Sequence, residues 1–322
     1  MRKPREDGPS LPHSDDFLLA LQANNYSPRT IYNYERDLQV FASFLADSKI
    51  DFSRLSKRDV MYYKAYLGSR DRETPLGEPA PKSNLDARSV NRMLSALRSF
   101  FKYLIEVDLP CPLPPEAIKL TKATKKHPQV AELDALTMLV EAPTQFESDS
   151  RVALRNRAIL EVLFSTGMRI SELCNLKRIQ IDGSGRIFIT GKGRKQRFVY
   201  LTDRATHHLE RYLKTRTDNA PALFIPYAGR NVNDPRRRIS TNYVQERIKR
   251  YREKLRINVP TSAHSLRHGF ATYLAENGAN PAALQILLGH ESLHPTTRYV
   301  HASDRYAEET HHRYHPRSRV SE

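Results

Sequence analysis

Cysteine is nearly absent from this chain of 322 residues. The two cysteines, Cys111 and Cys174, lie in different segments and form no C-x-x-C pair. A thiolate zinc site is therefore disfavoured, and nothing in the sequence requires an oxidising compartment. No apolar run approaches the length of a membrane span, and the first twelve residues lack the apolar stretch of a signal peptide. We therefore expect a cytoplasmic protein without a membrane partner.

Acidic residues are also scarce relative to basic ones. The chain has 36 Asp and Glu against 52 Lys and Arg, a formal net charge of +16, and its pI is near 9.8. A chain this basic favours a polyanionic partner, and nucleic acid is the leading candidate. The alternative is a basic surface without such a partner, as in some secreted or ribosome-associated proteins. No carboxylate cluster suits magnesium, so we expect no metal and no cofactor.

The length suggests about two domains. We expect a flexible arm over 1–12 and a bundle of about four helices over 13–108. Ser27-Pro28 marks one helix start, with serine at the cap and proline in the first turn, and Ser56 is suited to cap another. Apolar residues recur at helical spacing in three of these helices: Ile31, Tyr34, Leu38, Phe41 and Leu45; Val60, Tyr63 and Leu67; and Val90, Leu94, Leu97, Phe101 and Leu104.

A proline-rich and lysine-rich stretch follows, and we expect it, over 109–130, to be the linker between two domains. Proline prevents regular structure and stiffens a chain, and the lysines need solvent or phosphate. The linker either closes a ring around a nucleic-acid duplex or is a solvated spacer, and the sequence leaves both open.

The second domain is predicted over 131–322 as a mostly helical unit with one small sheet. RIFIT (186–190) and QRFVYL (196–201) look like two strands that flank a glycine-rich turn, Gly191 to Arg194. The fold class is therefore mainly α with a small antiparallel β-sheet. Helices are expected at 131–142, 151–166, 170–177, 203–215, 240–256, 263–277, 281–288, 295–301 and 303–313.

Two arginine-containing segments of this domain are candidates for binding an anion. His264 and Arg267 fall at the start of a predicted helix, where free N–H groups and the helix dipole attract anions. Arg169 follows the helix-breaking Gly167, and Glu172 is spaced to hold Arg169 or a histidine in place. Taken alone, each has an ordinary explanation: a solvated helix start for the first, and a surface ion pair for the second.

Three further residues are candidates for proton transfer and nucleophilic attack. Lys192 occupies the glycine-flanked tip of the predicted hairpin, and a lysine that loses solvent beside other cations becomes a proton donor. His290 follows the helix-ending Gly289, and Tyr299 lies on the next predicted helix. A tyrosine becomes a nucleophile when a base accepts its proton and cations stabilise the phenolate. In isolation, Lys192 is better explained as an exposed turn lysine, and Tyr299 as an amphipathic core residue.

Arg169, Lys192, His264, Arg267, His290 and Tyr299 occur in this order with their local contexts, and this set resembles the tyrosine recombinase family. The matching segments are TGMRISEL (166–173), ITGKGRKQR (189–197), HSLRHGFATYL (264–274), LLGHES (287–292) and TTRYVH (296–301). SPRTIYNYERDL (27–38) is similar to the DNA-gripping, SAM-like core-binding domain of the same family. HHRYHPR (311–317) is similar to the tail of its Xer branch, the chromosome and plasmid dimer resolvases.

The resemblance implies a metal-independent and ATP-independent DNA strand transfer. Tyr299 would attack a phosphodiester, leave a 3′-phosphotyrosyl link and a free 5′-hydroxyl, and two such exchanges would pass through a Holliday junction. Arg169 and Arg267 would clamp the phosphate and His290 would hydrogen-bond it. Lys192 would protonate the leaving oxygen and His264 would assist proton transfer at Tyr299. Glu172 would support these residues from outside the reacting groups.

The implied partner is double-stranded DNA, held by a homotetramer on two duplexes with about one helical turn per subunit. The resemblance leaves open a paralogue as second recombinase and a DNA translocase as activator. Three alternatives stay open at this point: a mobile-element integrase, a type IB topoisomerase-like enzyme, and a DNA-binding factor that has lost catalysis.

Overall fold

The computed structural model describes residues 9–69, 84–122, 131–191, 196–229 and 232–289. The chain divides into two compact units, Met1–His127 and Pro128–Glu322. Among its described residues the first unit holds four α-helices: α1 Ser14–Ala23, α2 Pro28–Asp47, α3 Lys57–Gly68 and α4 Ala87–Glu106. Two single-turn 3₁₀ helices, Phe52–Arg54 and Pro115–Ala117, connect and follow them.

Helix starts in the first unit follow from short polar side chains. The hydroxyl of Ser27 accepts the N–H of Thr30, and Pro28 occupies the first turn of α2. Ser56 and Asp59 form a reciprocal capping box at the start of α3, in which each side chain accepts the other's backbone N–H. These caps satisfy donors that a helix start leaves without an intrahelical partner. Both predicted caps are therefore confirmed.

The core of the first unit lies between α4 and the other three helices. The predicted stripes of α3 and α4 are buried throughout, and in α2 Leu38, Phe41 and Leu45 are buried while Ile31 and Tyr34 pack at the edge. Beyond α4, Ile118 is buried in the same core and Leu109 packs on it. The limits of the linker, 109–130, stay a prediction, because 123–130 lie outside the described residues.

The second unit begins with three helices: α5 Leu133–Phe146, α6 Ser150–Thr166 and α7 Ile170–Asn175. Strands β1 Arg186–Thr190 and β2 Gln196–Tyr200 follow, then α8 Asp203–Leu213, α9 Thr241–Lys254, α10 Ala263–Glu276 and α11 Pro281–Leu288. Helix α6 is central, since it contacts α5, α7, α8, α10 and β2. Eleven of its seventeen residues are buried, including the charged Arg155, Arg157 and Glu161.

The two strands form one antiparallel hairpin, with Arg186 opposite Tyr200 and Thr190 opposite Gln196. In each strand every second residue is buried, as expected for a sheet with one face on the core. The prediction of a mainly α chain with one small antiparallel sheet is confirmed. The helices expected at 295–301 and 303–313 lie outside the described residues. None of the helices in the described ranges combines the length and apolar character needed to cross a bilayer.

Candidate active site

Gly167 shapes the turn that presents Arg169. Helix α6 ends at Thr166, and Gly167 follows with φ of 59°, a left-handed conformation that favours glycine. The ring of Phe270 from α10 lies against this glycine, so close that a Cβ would meet Phe270 Cδ1 at 2.4 Å. Arg169 then forms the N-cap of α7. Both the backbone angle and the ring therefore require glycine at this turn.

Glu172 lies at the centre of the site, with its side chain only 5% exposed. Its Oε2 accepts the backbone N–H of Arg169 at 2.8 Å, and its Oε1 accepts Nη1 of Arg169 at 3.1 Å. The predicted support of Arg169 by Glu172 is thus present, and burial distinguishes it from a surface ion pair. The Arg169 side chain remains 36% exposed and can meet a ligand.

Arg197 is a member of the site that the sequence reasoning missed. From β2 it donates Nη1 to Glu172 Oε1 at 3.0 Å and Nη2 to Glu172 Oε2 at 2.9 Å. Burial alone would raise the pKa of Glu172, but the hydrogen bonds and charges of Arg197 and Arg169 outweigh it and lower that pKa. Glu172 is therefore an ionised carboxylate held between two guanidinium groups.

Arg267 approaches from α10, which Ser262 caps by accepting the N–H of Ser265. The Arg267 side chain is buried, and Nη1 donates to the carbonyl of Gly167 at 2.7 Å while Nη2 donates to that of Leu288 at 2.5 Å. Nη2 of Arg169 reaches the next carbonyl, that of Gly289, at 3.5 Å. The two arginines therefore converge on one stretch of backbone at the end of α11.

His264 lies in the first turn of α10, exposed to solvent overall. The protein atoms packed around its ring nevertheless desolvate it, and this, with the positive charges of Arg267 and Arg169, lowers the pKa of His264. A neutral imidazole at pH 7 can accept a proton. On the same helix Leu266 is buried, whereas Phe270 and Leu274 are only partly buried.

Three predicted site residues, Lys192, His290 and Tyr299, lie outside the described residues. Two of them nevertheless directly follow the last residue of a described stretch. Gly191 immediately precedes Lys192, and Gly289 immediately precedes His290. Of the predicted set, the structure thus brings together Arg169, Glu172, His264 and Arg267, with Arg197 added.

An open cleft of about 360 Å³ adjoins Arg169 and Glu172 and extends along β1 to Thr190 and Gly191. Arg169 and Arg197 pair with the carboxylate of Glu172, and Arg267 adds a third guanidinium group beside the end of α11, so the positive charge of these three groups is only partly neutralised. Such an arrangement suits an anion with several oxygens, such as a phosphodiester. Across the described ranges, no group of three or more His, Cys, Asp or Glu side chains is arranged to hold a metal ion.

Comparison with protein families gives two matches that together span most of the chain. The model described as Phage integrase family matches residues 130–305, and the model described as Phage integrase, N-terminal SAM-like domain, matches residues 15–107.

Among curated proteins, the chain is similar to tyrosine recombinases XerC. It is 36% identical over 311 residues to that of Pelobacter propionicus, covering 95% of this chain and 96% of the relative. It is 32% identical over 316 residues to that of Halalkalibacterium halodurans, covering 94% and 96%.

Solved structures with the same fold include XerH site-specific recombinase bound to difH substrate. The TM-score is 0.67 at 22% identity, covering 92% of this chain and 84% of that one. A lambda integrase dimer bound to a COC′ core site gives a TM-score of 0.64 at 17% identity, covering 87% and 94%. At these identities the likeness concerns the fold.

Proposed function

Because this chain belongs to the phage integrase family and is a site-specific tyrosine recombinase of the Xer type, we propose that it resolves DNA dimers through Tyr299. The phenol oxygen of Tyr299 attacks the scissile phosphorus, and the bond from phosphorus to the 5′-oxygen breaks. The products are a 3′-phosphotyrosyl link and a free 5′-hydroxyl. A 5′-hydroxyl from the partner duplex then attacks the same phosphorus and releases Tyr299. The phosphodiester energy is conserved, so no ATP is needed.

The observation that carries this proposal is the convergence of Arg169 and Arg267. They come from sequence positions almost a hundred residues apart, and their guanidinium groups reach the consecutive carbonyls of Gly289 and Leu288. The transition state places extra negative charge on the non-bridging oxygens, where preorganised cations act most strongly. Arg267 acts from a buried position, in which salt screens its charge weakly.

His264 is the proposed proton acceptor for Tyr299, because its lowered pKa keeps it neutral at pH 7. Lys192 gives its proton to the departing 5′-oxygen. When the 5′-hydroxyl of the partner duplex attacks in the second step, the proton transfers of His264 and Lys192 run in reverse. His290 hydrogen-bonds the phosphate. Glu172 holds Arg169 without touching DNA. The cations take the part that metal ions take in many nucleases, so the reaction is expected to proceed in EDTA.

The proposed partner is double-stranded DNA, and the net charge of +16 favours it. The XerH and lambda integrase structures named above are complexes with DNA sites. Two subunits on each of two duplexes make the proposed tetramer, which carries out two strand exchanges through a Holliday junction. We place the reaction in the cytoplasm, with a DNA translocase as the proposed activator.

The test is covalent trapping on nicked duplexes that carry candidate recombination sites from the source genome, in EDTA. A nick beside the scissile phosphate lets the short 5′-hydroxyl fragment leave, so the protein–DNA adduct accumulates and is seen on a denaturing gel. Wild type is compared with Tyr299→Phe and with Tyr273→Phe, a control tyrosine on α10 that is 45% exposed.

We expect an adduct from wild type and Tyr273→Phe and none from Tyr299→Phe. An adduct that persists in Tyr299→Phe would assign the nucleophile elsewhere. If wild type binds the duplexes without forming an adduct, the catalytic proposal fails in favour of a DNA-binding factor. Adduct formation on any duplex, with relaxation of supercoils by single subunits, would instead indicate a topoisomerase-like enzyme.

A further inference from the structure

Arg197 occupies an unusual place in the hairpin. The inward-facing positions of β1 and β2 are Ile187, Ile189, Arg197 and Val199, so one guanidinium stands in an otherwise apolar row. Its side chain is 7% exposed. Burying a charge in such surroundings is unfavourable unless it is paired and hydrogen-bonded. The partners of Arg197 therefore explain why it is there.

Those partners belong to two other segments of the site. Nη1 and Nη2 form a two-pronged ion pair with Glu172 on α7, and Nε donates to the carbonyl of Leu287 on α11 at 2.9 Å. The guanidinium also lies against Gly289, where a Cβ would meet Nη1 at 3.0 Å and where φ is 62°. One planar group thus joins β2, α7 and the end of α11.

Each joined segment leads directly to a residue of the proposed mechanism. Glu172 accepts hydrogen bonds from both the backbone N–H and the guanidinium of Arg169. Lys192 lies between β1 and β2 in the sequence, and His290 follows the end of α11. A planar guanidinium fixes both direction and distance in its ion pair, which a lysine ammonium does not.

We propose that Arg197 is a positioning residue for strand cleavage, acting on Arg169 through Glu172 and on the end of α11 through the Leu287 carbonyl. It does not contact DNA. This role rests on the proposed function, since it needs Arg169 to act on the scissile phosphate. Loss of Arg197 leaves Glu172 free to rotate and Arg169 without a fixed partner, so it slows the chemical step more than it weakens DNA binding.

The test compares Arg197→Gln with Arg157→Gln under single-turnover conditions at saturating nicked duplex. Arg157 is a matched control, because it is 6% exposed and donates Nε and Nη2 to the buried Glu161 at 3.0 and 2.8 Å. We expect Arg197→Gln to lower the cleavage rate about 10- to 100-fold, by analogy with the range found for residues that hold metal ligands in place, with DNA affinity unchanged. Arg157→Gln is expected to cleave like wild type at temperatures where it is folded.

A double-mutant cycle with Arg169→Lys separates positioning from general stability. If Arg197 acts through Arg169, the loss caused by Arg197→Gln shrinks when Arg169 is already lysine. Equal losses in both backgrounds would overturn the proposal, as would equal rates for Arg197→Gln and Arg157→Gln.

Arg197→Lys covers the case in which Arg197→Gln does not fold. It keeps the charge, and its cleavage rate is expected to fall while its circular dichroism matches wild type; a wild-type rate would overturn the proposal. A wild-type protein that forms no adduct would instead refute the proposed function, so the two failures are distinguishable.

Discussion

Replacing Glu172 with glutamine removes the one carboxylate that Arg169 and Arg197 share. The side chain is 5% exposed and accepts four hydrogen bonds, two from each arginine. Glutamine keeps the shape but offers a single acceptor oxygen, and its amide nitrogen faces N–H donors. About two of the four bonds are therefore lost, and Arg197 is left as a buried charge without a counter-charge.

The expected decrease in the free energy of unfolding can be calculated in two ways. A hydrogen bond to a charged group contributes about 1.5–3 kcal/mol, so two such bonds amount to about 3–6 kcal/mol. Removing one partner of a buried ion pair costs about 3–5 kcal/mol. We therefore expect Glu172→Gln to lower the free energy of unfolding of the second unit by about 3–5 kcal/mol, a large share of the roughly 5–15 kcal/mol typical of domains.

The assay is urea unfolding followed by far-ultraviolet circular dichroism, because the chain has no tryptophan. With an m-value of about 2 kcal/mol per M, the midpoint of the second unit falls by about 1.5–2.5 M. The exposed Glu210→Gln is the control.

A lowered pKa of Glu172 means that its contribution to the free energy of unfolding is complete above the ordinary pKa of 4.5 and is lost as pH falls through the lowered pKa. The difference from wild type should therefore narrow in acid. Midpoints equal to that of the control at pH 7 would refute this reasoning.

Two further predictions concern α10. Because the pKa of His264 is lowered from 6.5, its neutral form persists below that pH, so the acid limb of the cleavage rate should lie below pH 6.5 and disappear in His264→Gln. A limb at or above pH 6.5 would contradict the role of His264 as proton acceptor. Gly269→Ala would place a Cβ 2.3 Å from Leu136 Cδ1, so unfolding studies should show a loss of about 1–3 kcal/mol. That loss should shrink in a Leu136→Ala background, and simple additivity would show that the contact is not the cause.

Local structure was predictable because its causes are local. The Ser27–Pro28 start of α2 and the Ser56 start of α3 depend on side chains within three residues of the groups that they cap. The pairing of β1 with β2 follows from strand alternation on both sides of a glycine-rich segment of the sequence. Such signals are contained in a few neighbouring residues, and tertiary packing did not override them.

The site was harder to predict because its contacts link distant segments. Arg267 is a hundred residues from Gly167, whose carbonyl it binds, and no spacing rule connects them. The family resemblance is what groups Arg169 with Arg267 in the sequence, because the chemistry of each residue taken alone favours an ordinary role.

The alternation of buried and exposed residues along β2 is enough to single out Arg197. It shares the inward parity of Val199 on β2, and a charged residue on an apolar face requires a buried partner. That partner, Glu172, was already a candidate, but it lies on another element, 25 residues earlier. Their pairing is a consequence of how β2 packs beside α7, which the sequence pattern does not contain.

A neutral phosphate analogue tests most directly whether Arg169 stabilises negative charge on the scissile phosphate. Single-turnover cleavage by wild type and Arg169→Ala is measured on matched nicked duplexes with a phosphodiester or a methylphosphonate at the scissile position. The methylphosphonate carries no negative charge, so a cation has less to stabilise there. We predict that wild type cleaves the phosphodiester faster than Arg169→Ala by a large factor. On the methylphosphonate the ratio of the two cleavage rates should be much smaller. The same factor on both substrates would show that Arg169 does not act on that negative charge.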